Sequence, residues 1–273
     1  MFRRLVFVVF CGALISSCFE PPEYPFEPEI TFRSIKYVEV ADLPNGESMA
    51  DSLILTIRFR DGDGNLGLTS TERRPPYNDR WYYVREPLNL DDKIFPENCR
   101  TYAAQHRCWF VPVPRPEYMA EFNKYIDYSS KRANVAPYDT LKPFIKPYNC
   151  ENWEVIRDDD DKIVDTLYFT LNKHYSNIFV EFQTKNGDNT YTPFDWGSFL
   201  TYPSCEVQGF NGRFPLLNNP SDATPLEGDI KYAMPSPFFR IIFGAKTLRL
   251  RVYIEDRALN KSNEIFTDDF NFQ

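Results

Sequence analysis

Residues Asp51–Leu68 read DSLILTIRFRDGDGNLGL, an alternating apolar pattern that ends in a loop of acids and glycines. Alternation of apolar and polar residues with a period of two is typical of a β-strand with one buried face. The apolar face of this strand would consist of Leu53, Leu55, Ile57 and Phe59. A second alternating run, Ile30–Val40, lies upstream, and PNGES at Pro44–Ser48 has the composition of a turn. The two runs therefore predict a pair of antiparallel strands.

Similar short strands are predicted in the second half of the chain. The clearest is Lys246–Ile254, KTLRLRVYI, whose alternate residues are apolar. The other candidates are Asp165–Leu171, Ser176–Phe182, Gly212–Leu217, Glu227–Met234 and Glu264–Phe272. About seven short strands between polar turns, with almost no helical periodicity among them, are typical of an antiparallel β-sandwich. We therefore predict a mainly β protein with a sandwich built from residues 30–68 and 162–273.

Residues 69–161 interrupt this pattern and are rich in proline and aromatic residues, as in RRPPYNDRWYYVREP and WFVPVPRPEY. One helix is predicted here, Pro116–Tyr128, because its apolar residues recur at helical spacing behind a proline that suits the first turn. A structureless loop of this length inside a domain would be unusual. We therefore interpret residues 69–161 as a long, partly helical insertion that folds onto the sandwich.

The N-terminus indicates export and lipidation. Residues 1–17 combine Arg3 and Arg4 with the apolar run LVFVVFCGALI and a small-residue end, which is typical of a secretory signal peptide. The apolar run is too short to span a bilayer. Ile15–Cys18, ISSC, resembles a bacterial lipobox, in which the cysteine becomes the lipidated first residue of the mature protein. The alternative is an ordinary cleaved signal that leaves Cys18 as a thiol.

Residues 18–29 read CFEPPEYPFEPE, an acidic and proline-rich stretch that predicts a stiff, extended tether between the lipid and the folded part. Acidic residues this close behind a lipidated cysteine resemble the surface-export signals of Bacteroidota lipoproteins. We therefore expect lipid anchoring through Cys18 in the outer membrane, with the cell surface favoured over the periplasmic face.

The charge balance narrows the classes of partner. The chain has 31 lysines and arginines against 39 acids, a formal charge of −8, and loss of the signal peptide removes two more positive charges. A chain this acidic, without a basic stripe, is poorly suited to nucleic acid or to anionic lipid surfaces. We therefore expect no nucleic-acid partner, and contact with the membrane only through the lipid anchor.

Four cysteines remain beyond the signal peptide and the lipidation site: Cys99, Cys108, Cys150 and Cys205. In an oxidising envelope compartment this even number predicts two disulfides, with all three pairings open. Zinc ligation is the alternative, but the sequence has no CxxC pair and only His106 lies nearby.

Three segments carry a resemblance to a known family. They read DSLILTIRFRDGDGNLGL at Asp51–Leu68, DTLYFTLNKHYSNIFVEFQTKNG at Asp165–Gly187, and LEGDIKY followed by LRLRVYIEDRALNKSNEI within Leu226–Ile265. Together they resemble a widespread family of uncharacterised Bacteroidota outer-membrane lipoproteins with an immunoglobulin-like or cadherin-like sandwich. Asp256–Asn263 also resembles the strand-end D-x-A-x-N-x-S motif of bacterial immunoglobulin-like modules. The resemblance implies an immunoglobulin-like fold and a binding or assembly role in the envelope, and it carries over no activity.

The loop RFRDGDGNLGL invites two direct comparisons with known ligand-binding loops. A phosphate-binding loop is excluded, because no lysine and no helical pattern follow and acids occupy the loop. An EF-hand would use Asp61, Asp63 and Asn65 as ligands, with Glu72 in the twelfth place. Leu66 stands where that loop requires glycine, and a strand pattern precedes it, so we do not expect an EF-hand.

A shared calcium site is a further hypothesis, because cadherin-like sites gather carboxylates and carbonyls from several strand ends. If two loops lie at the same end of the sandwich, their candidate ligands are Asp61, Asp63, Asn65, Asp256 and Asn260. A structural corner, in which glycines and short polar side chains satisfy the turn without an ion, is favoured because the ligand set is incomplete in sequence. We expect no other cofactor, and we interpret the acidic run Asp158–Asp161 as a solvated turn.

Motifs of common catalytic sites are missing from the sequence. The two histidines, His106 and His174, lie in no HExxH arrangement, and no GxSxG occurs. We therefore expect no enzyme and no catalytic residues. The predicted function is a non-catalytic binding or assembly module for an outer-membrane or cell-surface protein.

Aromatic residues of the insertion supply the candidate binding surface: Trp81, Tyr82, Tyr83, Trp109 and Phe110. Large aromatic residues dominate the energetics of protein interfaces. The same residues could instead fill a small core within the insertion. A glycan-binding surface lipoprotein, in which exposed aromatic rings stack on sugars, is the alternative function.

Overall fold

The computed structural model describes residues 23–39, 51–84, 111–115, 152–196, 209–219 and 222–272. These residues lie mainly in antiparallel β-strands, so the prediction of a mainly β protein is confirmed. Within these ranges, no helix has the length and apolar character needed to cross a bilayer. The predicted helix Pro116–Tyr128 lies outside the described residues.

The described ranges contain the strands β1 Glu29–Val38, β2 Ser52–Asp61, β3 Arg80–Val84, β4 Val111–Val113, β5 Trp153–Arg157, β6 Ile163–Leu171, β7 Ile178–Lys185, β8 Tyr191–Pro193, β9 Leu226–Pro235, β10 Leu248–Ile254 and β11 Ile265–Phe266. A short helix, α1, covers Phe239–Phe243. The strands form three sheets with all neighbours antiparallel. The first sheet has the order β1–β2–β9, the second β11–β10–β7–β8 and the third β4–β3–β6–β5.

The first and second sheets contribute their apolar faces to one hydrophobic core. Side chains alternate across a strand, so every second residue of β2 and of β10 faces this core. The inward residues are Leu53, Leu55, Ile57 and Phe59 of β2 and Leu248, Leu250, Val252 and Ile254 of β10. Phe182 of β7 stacks on Phe239 and Phe243 of α1, with ring centroids 5.8 and 5.6 Å apart. At about 25 cal/mol per Å² of buried apolar surface, this core is the main stabilising feature of the fold.

The third sheet differs from the sequence prediction. The alternating pattern assigns β6 to the sandwich, but β6 pairs with β3 and β5 of the insertion. The boundary predicted at residue 162 therefore falls between β5 and the strand with which it pairs. Thr166–Phe169 are buried on both faces of β6, and a pattern without a distinct solvent face does not identify the partner strands.

Two of the strand predictions, Gly212–Leu217 and Glu264–Phe272, are only partly realised. Gly212 forms an isolated bridge to Ile178, and no strand covers Gly212–Leu217. Instead of a partner strand, the Asn177 side chain bonds the backbone of this segment. Its Nδ2 donates to the Phe214 carbonyl at 3.1 Å, and its Oδ1 accepts from the Phe214 nitrogen at 2.9 Å. The last predicted strand shortens to β11.

The acidic run Asp158–Asp161 forms the exposed turn between β5 and β6, as predicted. Oδ1 of Asp158 accepts hydrogen bonds from the backbone nitrogens of Asp160 at 3.0 Å and Lys162 at 2.9 Å. Local hydrogen bonds of this kind are typical of aspartate in turns, and the run is a solvated turn.

Candidate metal centre

The alternation that builds the core also turns two acids inward. Asp61 follows the core residue Phe59 by two positions and is 0% exposed, and Asp256 follows Ile254 by two positions and is 3% exposed. A residue two positions beyond an inward-facing one faces the same side while the chain stays extended. The ends of β2 and β10 therefore place one carboxylate each at the same end of the core.

The loop after β2 is tightly packed. The Gly62 nitrogen donates to the Pro25 carbonyl at 2.8 Å, and a Cβ at Gly62 would lie 2.7 Å from that same oxygen, so only glycine fits here without a shift. Asn65 closes the turn, because its backbone nitrogen donates to Asp61 Oδ2 at 3.0 Å and its Nδ2 donates to Asp63 Oδ2 at 2.7 Å. The loop thus holds both aspartates while it packs on the end of the tether.

The loop after β10 is closed by a similar arrangement. The backbone nitrogen of Asn260 donates to Asp256 Oδ1 at 2.7 Å, and its Nδ2 donates to Asp256 Oδ2 at 2.8 Å. The two loops are joined directly, since the Arg257 nitrogen donates to the Asn65 carbonyl at 3.2 Å. The sequence hypothesis placed these loops at one end of the protein, and the structure brings them into contact.

Three carboxylates converge where the loops meet. Asp61, Asp63 and Asp256 each present one oxygen, and these oxygens all lie within 4.8 Å of one another. Oδ1 of Asp61 and Oδ1 of Asp63 are buried and have no hydrogen-bond partner within the described ranges. Burial of a charged group is costly unless the group is paired, and within the described residues these two oxygens are unpaired.

The electrostatics of the cluster follow from its burial. Burial, together with the negative charges of Asp63 and Asp256, raises the pKa of Asp61 from 3.8 to about 7. Burial also raises the pKa of Asp256, against the opposing effect of the hydrogen bonds from Asn260. At neutral pH the cluster is therefore suited to take up a proton or a cation.

An oxygen-rich cluster of this kind suits a hard divalent cation. Calcium takes six to eight oxygen ligands, including aspartate carboxylates that bind through one or both oxygens. Asp61, Asp63 and Asp256 are the residues that would hold it. Asn65 and Asn260, also predicted as ligands, direct their side-chain nitrogens at Asp63 and Asp256, so they orient the carboxylates.

Glu72, the residue at the twelfth position of an EF-hand loop, pairs with Arg257 and is not part of the acidic cluster. Its two carboxylate oxygens pair with the two terminal nitrogens of Arg257, at 2.7 and 2.8 Å. This bidentate pair lowers the pKa of Glu72. The loop therefore has neither the flanking helices nor the closing glutamate of an EF-hand, as expected from Leu66. This pairing could not be predicted from the sequence, because 185 positions separate the partners.

The predicted aromatic surface is corrected at Tyr82. This residue is 1% exposed, donates its hydroxyl hydrogen to Glu154, and packs on Phe169 with ring centroids 6.0 Å apart. Tyr82 therefore fills the core of the third sheet, as the alternative interpretation proposed, and it lies beside Phe169 of the neighbouring strand β6. Trp81 is half-buried, and Tyr83 lies in β3.

Several predicted sites lie outside the described residues. They are the signal peptide and Cys18, the aromatic residues Trp109 and Phe110, His106, and the disulfide candidates Cys99, Cys108, Cys150 and Cys205. These predictions stay predictions.

Comparison of the chain with protein-family models, with curated proteins and with solved structures found no match.

Proposed function

We propose that the chain is a lipid-anchored, non-catalytic binding or assembly module of the outer membrane, with a calcium ion held by Asp61, Asp63 and Asp256. In this proposal the first and second sheets are the two layers of an immunoglobulin-like antiparallel β-sandwich. The inward alternation of β2 and β10 into one core supports that architecture.

One observation carries the calcium proposal. The Asp61 side chain is completely buried, its Oδ1 has no partner in the described part of the protein, and two more aspartates face it. A structural corner would satisfy its carboxylate with backbone or side-chain donors, as the exposed Asp158 turn does. The unpartnered oxygen therefore favours the ion over the corner, which reverses the preference drawn from sequence.

The donor set favours calcium over the softer metals. The cluster contains carboxylate oxygens alone, whereas zinc and copper sites use histidine and cysteine. Loop hydrogen bonds from Asn65 and Asn260 hold all three aspartates, and calcium accepts the irregular ligand geometry that loops provide.

The contacts of the tether support a proposal for which end of the folded part faces the membrane. The Tyr24 hydroxyl donates to Glu227 at 2.5 Å and, with Arg58, lowers the pKa of Glu227 to about 2. Tyr24 therefore docks at the calcium end of the first sheet. The tether therefore joins the folded part at this end of the first sheet. In this proposal the calcium end faces the membrane, and the partner is an outer-membrane or cell-surface protein.

Purification from detergent-solubilised outer membrane tests the binding role. The wild-type lipoprotein, Asp61→Asn and the exposed-acid control Asp159→Asn would each be isolated in calcium and in chelator. We expect a stoichiometric membrane protein to accompany the wild type and the control in calcium, and to be lost with Asp61→Asn or with chelator.

Two other outcomes would contradict this role. Retention on a polysaccharide gel that is lost in Trp81→Ala and Trp109→Ala, without a protein partner, would favour the glycan-binding alternative. If the chain bound neither a protein nor a glycan, it would be a purely structural module.

A further inference from the structure

Three consecutive residues at the end of β10 contact different parts of the molecule. Asp256 belongs to the acidic cluster. Its neighbour Glu255, which is also buried, is hydrogen-bonded to His174 Nδ1 at 2.8 Å. His174 belongs to the short turn Lys173–Tyr175 that directly follows β6. The residue beside the proposed calcium ligand is thus tied to the chain as it leaves the third sheet.

Arg257, on the other side of Asp256, is tied to the chain as it enters the third sheet. Its guanidinium pairs with both oxygens of Glu72, and its carbonyl accepts the hydroxyl hydrogen of Tyr77. Both partners lie in the connection between β2 and β3. We refer to this connection, Thr69–Asp79, together with Asn172–Asn177 after β6, as the joint.

The joint is held by polar contacts. Arg213 donates to the carbonyls of Thr69 at 3.1 Å, Glu72 at 2.8 Å and Tyr77 at 2.7 Å, and also to that of Tyr175. The Asn172 Nδ2 donates to the carbonyls of Pro76 at 2.6 Å and Asn78 at 2.8 Å. Hydrogen bonds are directional, so their strength depends on the exact position of the groups that make them. A small displacement of residues 255–257 would therefore disturb several bonds of the joint together.

The acidic cluster is the feature that can displace residues 255–257. Without a cation, the carboxylate of Asp256 is repelled by those of Asp61 and Asp63, which lie on a different loop. A cation bound among them replaces this repulsion with attraction and draws the two loops together. The coupling between the cluster and the joint is direct, because Asp256 is covalently bonded to Glu255 and Arg257, which both contact the joint.

We infer that a divalent cation at Asp61, Asp63 and Asp256 orders the joint through Glu255 and Arg257, and thereby fixes the third sheet against the other two. This inference rests on the proposed calcium site and adds its consequence for the molecule. The ion acts as a switch between an ordered and a loosened attachment of the third sheet.

Hydrogen exchange followed by mass spectrometry, with calcium chloride or chelator added to the mature chain, tests the inference. Peptides that cover 69–79 and 172–177 should exchange roughly tenfold more slowly in calcium. A peptide from the core strand 248–254 exchanges through global unfolding, so it reports the overall stabilisation by the ion, against which protection of the joint in wild type and variants is compared. Calorimetric titration of calcium into the same samples reports whether the ion binds at all.

Arg257→Lys separates the inference from the site itself, because lysine keeps the charge but loses the bidentate geometry. We expect this variant to bind calcium in the calorimeter without protection of 69–79. Arg251→Lys, which alters an arginine paired with Glu264 outside the joint, is the matched control and should behave as wild type. If Arg257→Lys does not fold, Glu72→Gln breaks the same pair from the other side.

The outcomes distinguish the two proposals. Calcium binding without slower exchange in the wild-type joint would overturn the inference and leave the site standing. Protection that persists in both Arg257→Lys and Glu72→Gln would also overturn it, because the coupling would not pass through this pair. No calcium binding by the wild type would overturn the proposed site, and the inference with it.

Discussion

Asp61 is a completely buried carboxylate with a pKa raised to about 7, and the proposed calcium site depends on it. Near neutral pH, without a cation, its carboxylate is about half protonated. A cation that binds the same oxygens must displace the proton, so calcium affinity should rise with pH. Burial of this acid is unfavourable by itself, and such features are typical of sites that bind a ligand.

The raised pKa predicts the direction of the pH dependence. The folded protein binds more protons at Asp61 than the unfolded chain between pH 3.8 and about 7, so this residue makes the free energy of unfolding fall as pH rises through that window. In chelator, the melting temperature should therefore decrease from pH 5 to pH 8. Saturating calcium, which binds the ionised form, should reduce or reverse the decrease.

Asp61→Asn is the control for this prediction, since the amide does not titrate. In chelator at pH 8 it should raise the free energy of unfolding by about 1–3 kcal/mol, because a buried uncompensated charge is removed. It should also flatten the pH dependence. A variant that is less stable than wild type in chelator would contradict the assignment of Asp61 as an unpaired carboxylate.

The strands and their loops could be predicted from the sequence only in part. Alternation correctly identified β2 and β10, and the same two-residue period, extended past Phe59 and Ile254, would have shown that Asp61 and Asp256 face inward. The period could not show which strand pairs with β6, because pairing depends on residues distant in the chain. The contact between Arg257 and Glu72 was invisible for the same reason.

Leu55→Ala tests the core at the centre of β2. Leu55 is 0% exposed and lies between β1 and β9, so its truncation should lower the free energy of unfolding by about 2–5 kcal/mol in a denaturant titration. Lys231→Ala, at an exposed position of the neighbouring strand β9, should change stability by less than about 0.5 kcal/mol. Equal effects of the two changes would contradict the packing of these strands.

Gly62→Ala tests the contact between the Asp61–Asn65 loop and the tether. A Cβ here would overlap the carbonyl oxygens of Tyr24 and Pro25, so we expect a loss of about 1–3 kcal/mol and weaker calcium binding. Gly187→Ala is the matched control, because its Cβ would meet no atom within 4 Å. Thermal unfolding of both variants makes the comparison. An unaffected Gly62→Ala protein would show that the tether does not pack on this loop.

The described residues form three antiparallel sheets that are attached to one another in two ways. The first and second sheets share an apolar core, whereas the third is attached through the polar bonds of the joint. The acidic cluster lies beside that joint and beside the docked tether. A lipid at Cys18, a calcium ion at the adjoining end and an adjustable third sheet would together suit a module that engages partners at a membrane surface.

Calcium titration monitored by the melting temperature tests whether the three aspartates bind the ion. At free calcium 100 times the dissociation constant, a single site stabilises the folded protein by about 2.7 kcal/mol, which corresponds to several degrees. We predict that rise for the wild type and for Asp159→Asn, and no rise for Asp61→Asn. No change in the wild-type melting temperature at millimolar calcium would contradict the claim that Asp61, Asp63 and Asp256 hold the ion.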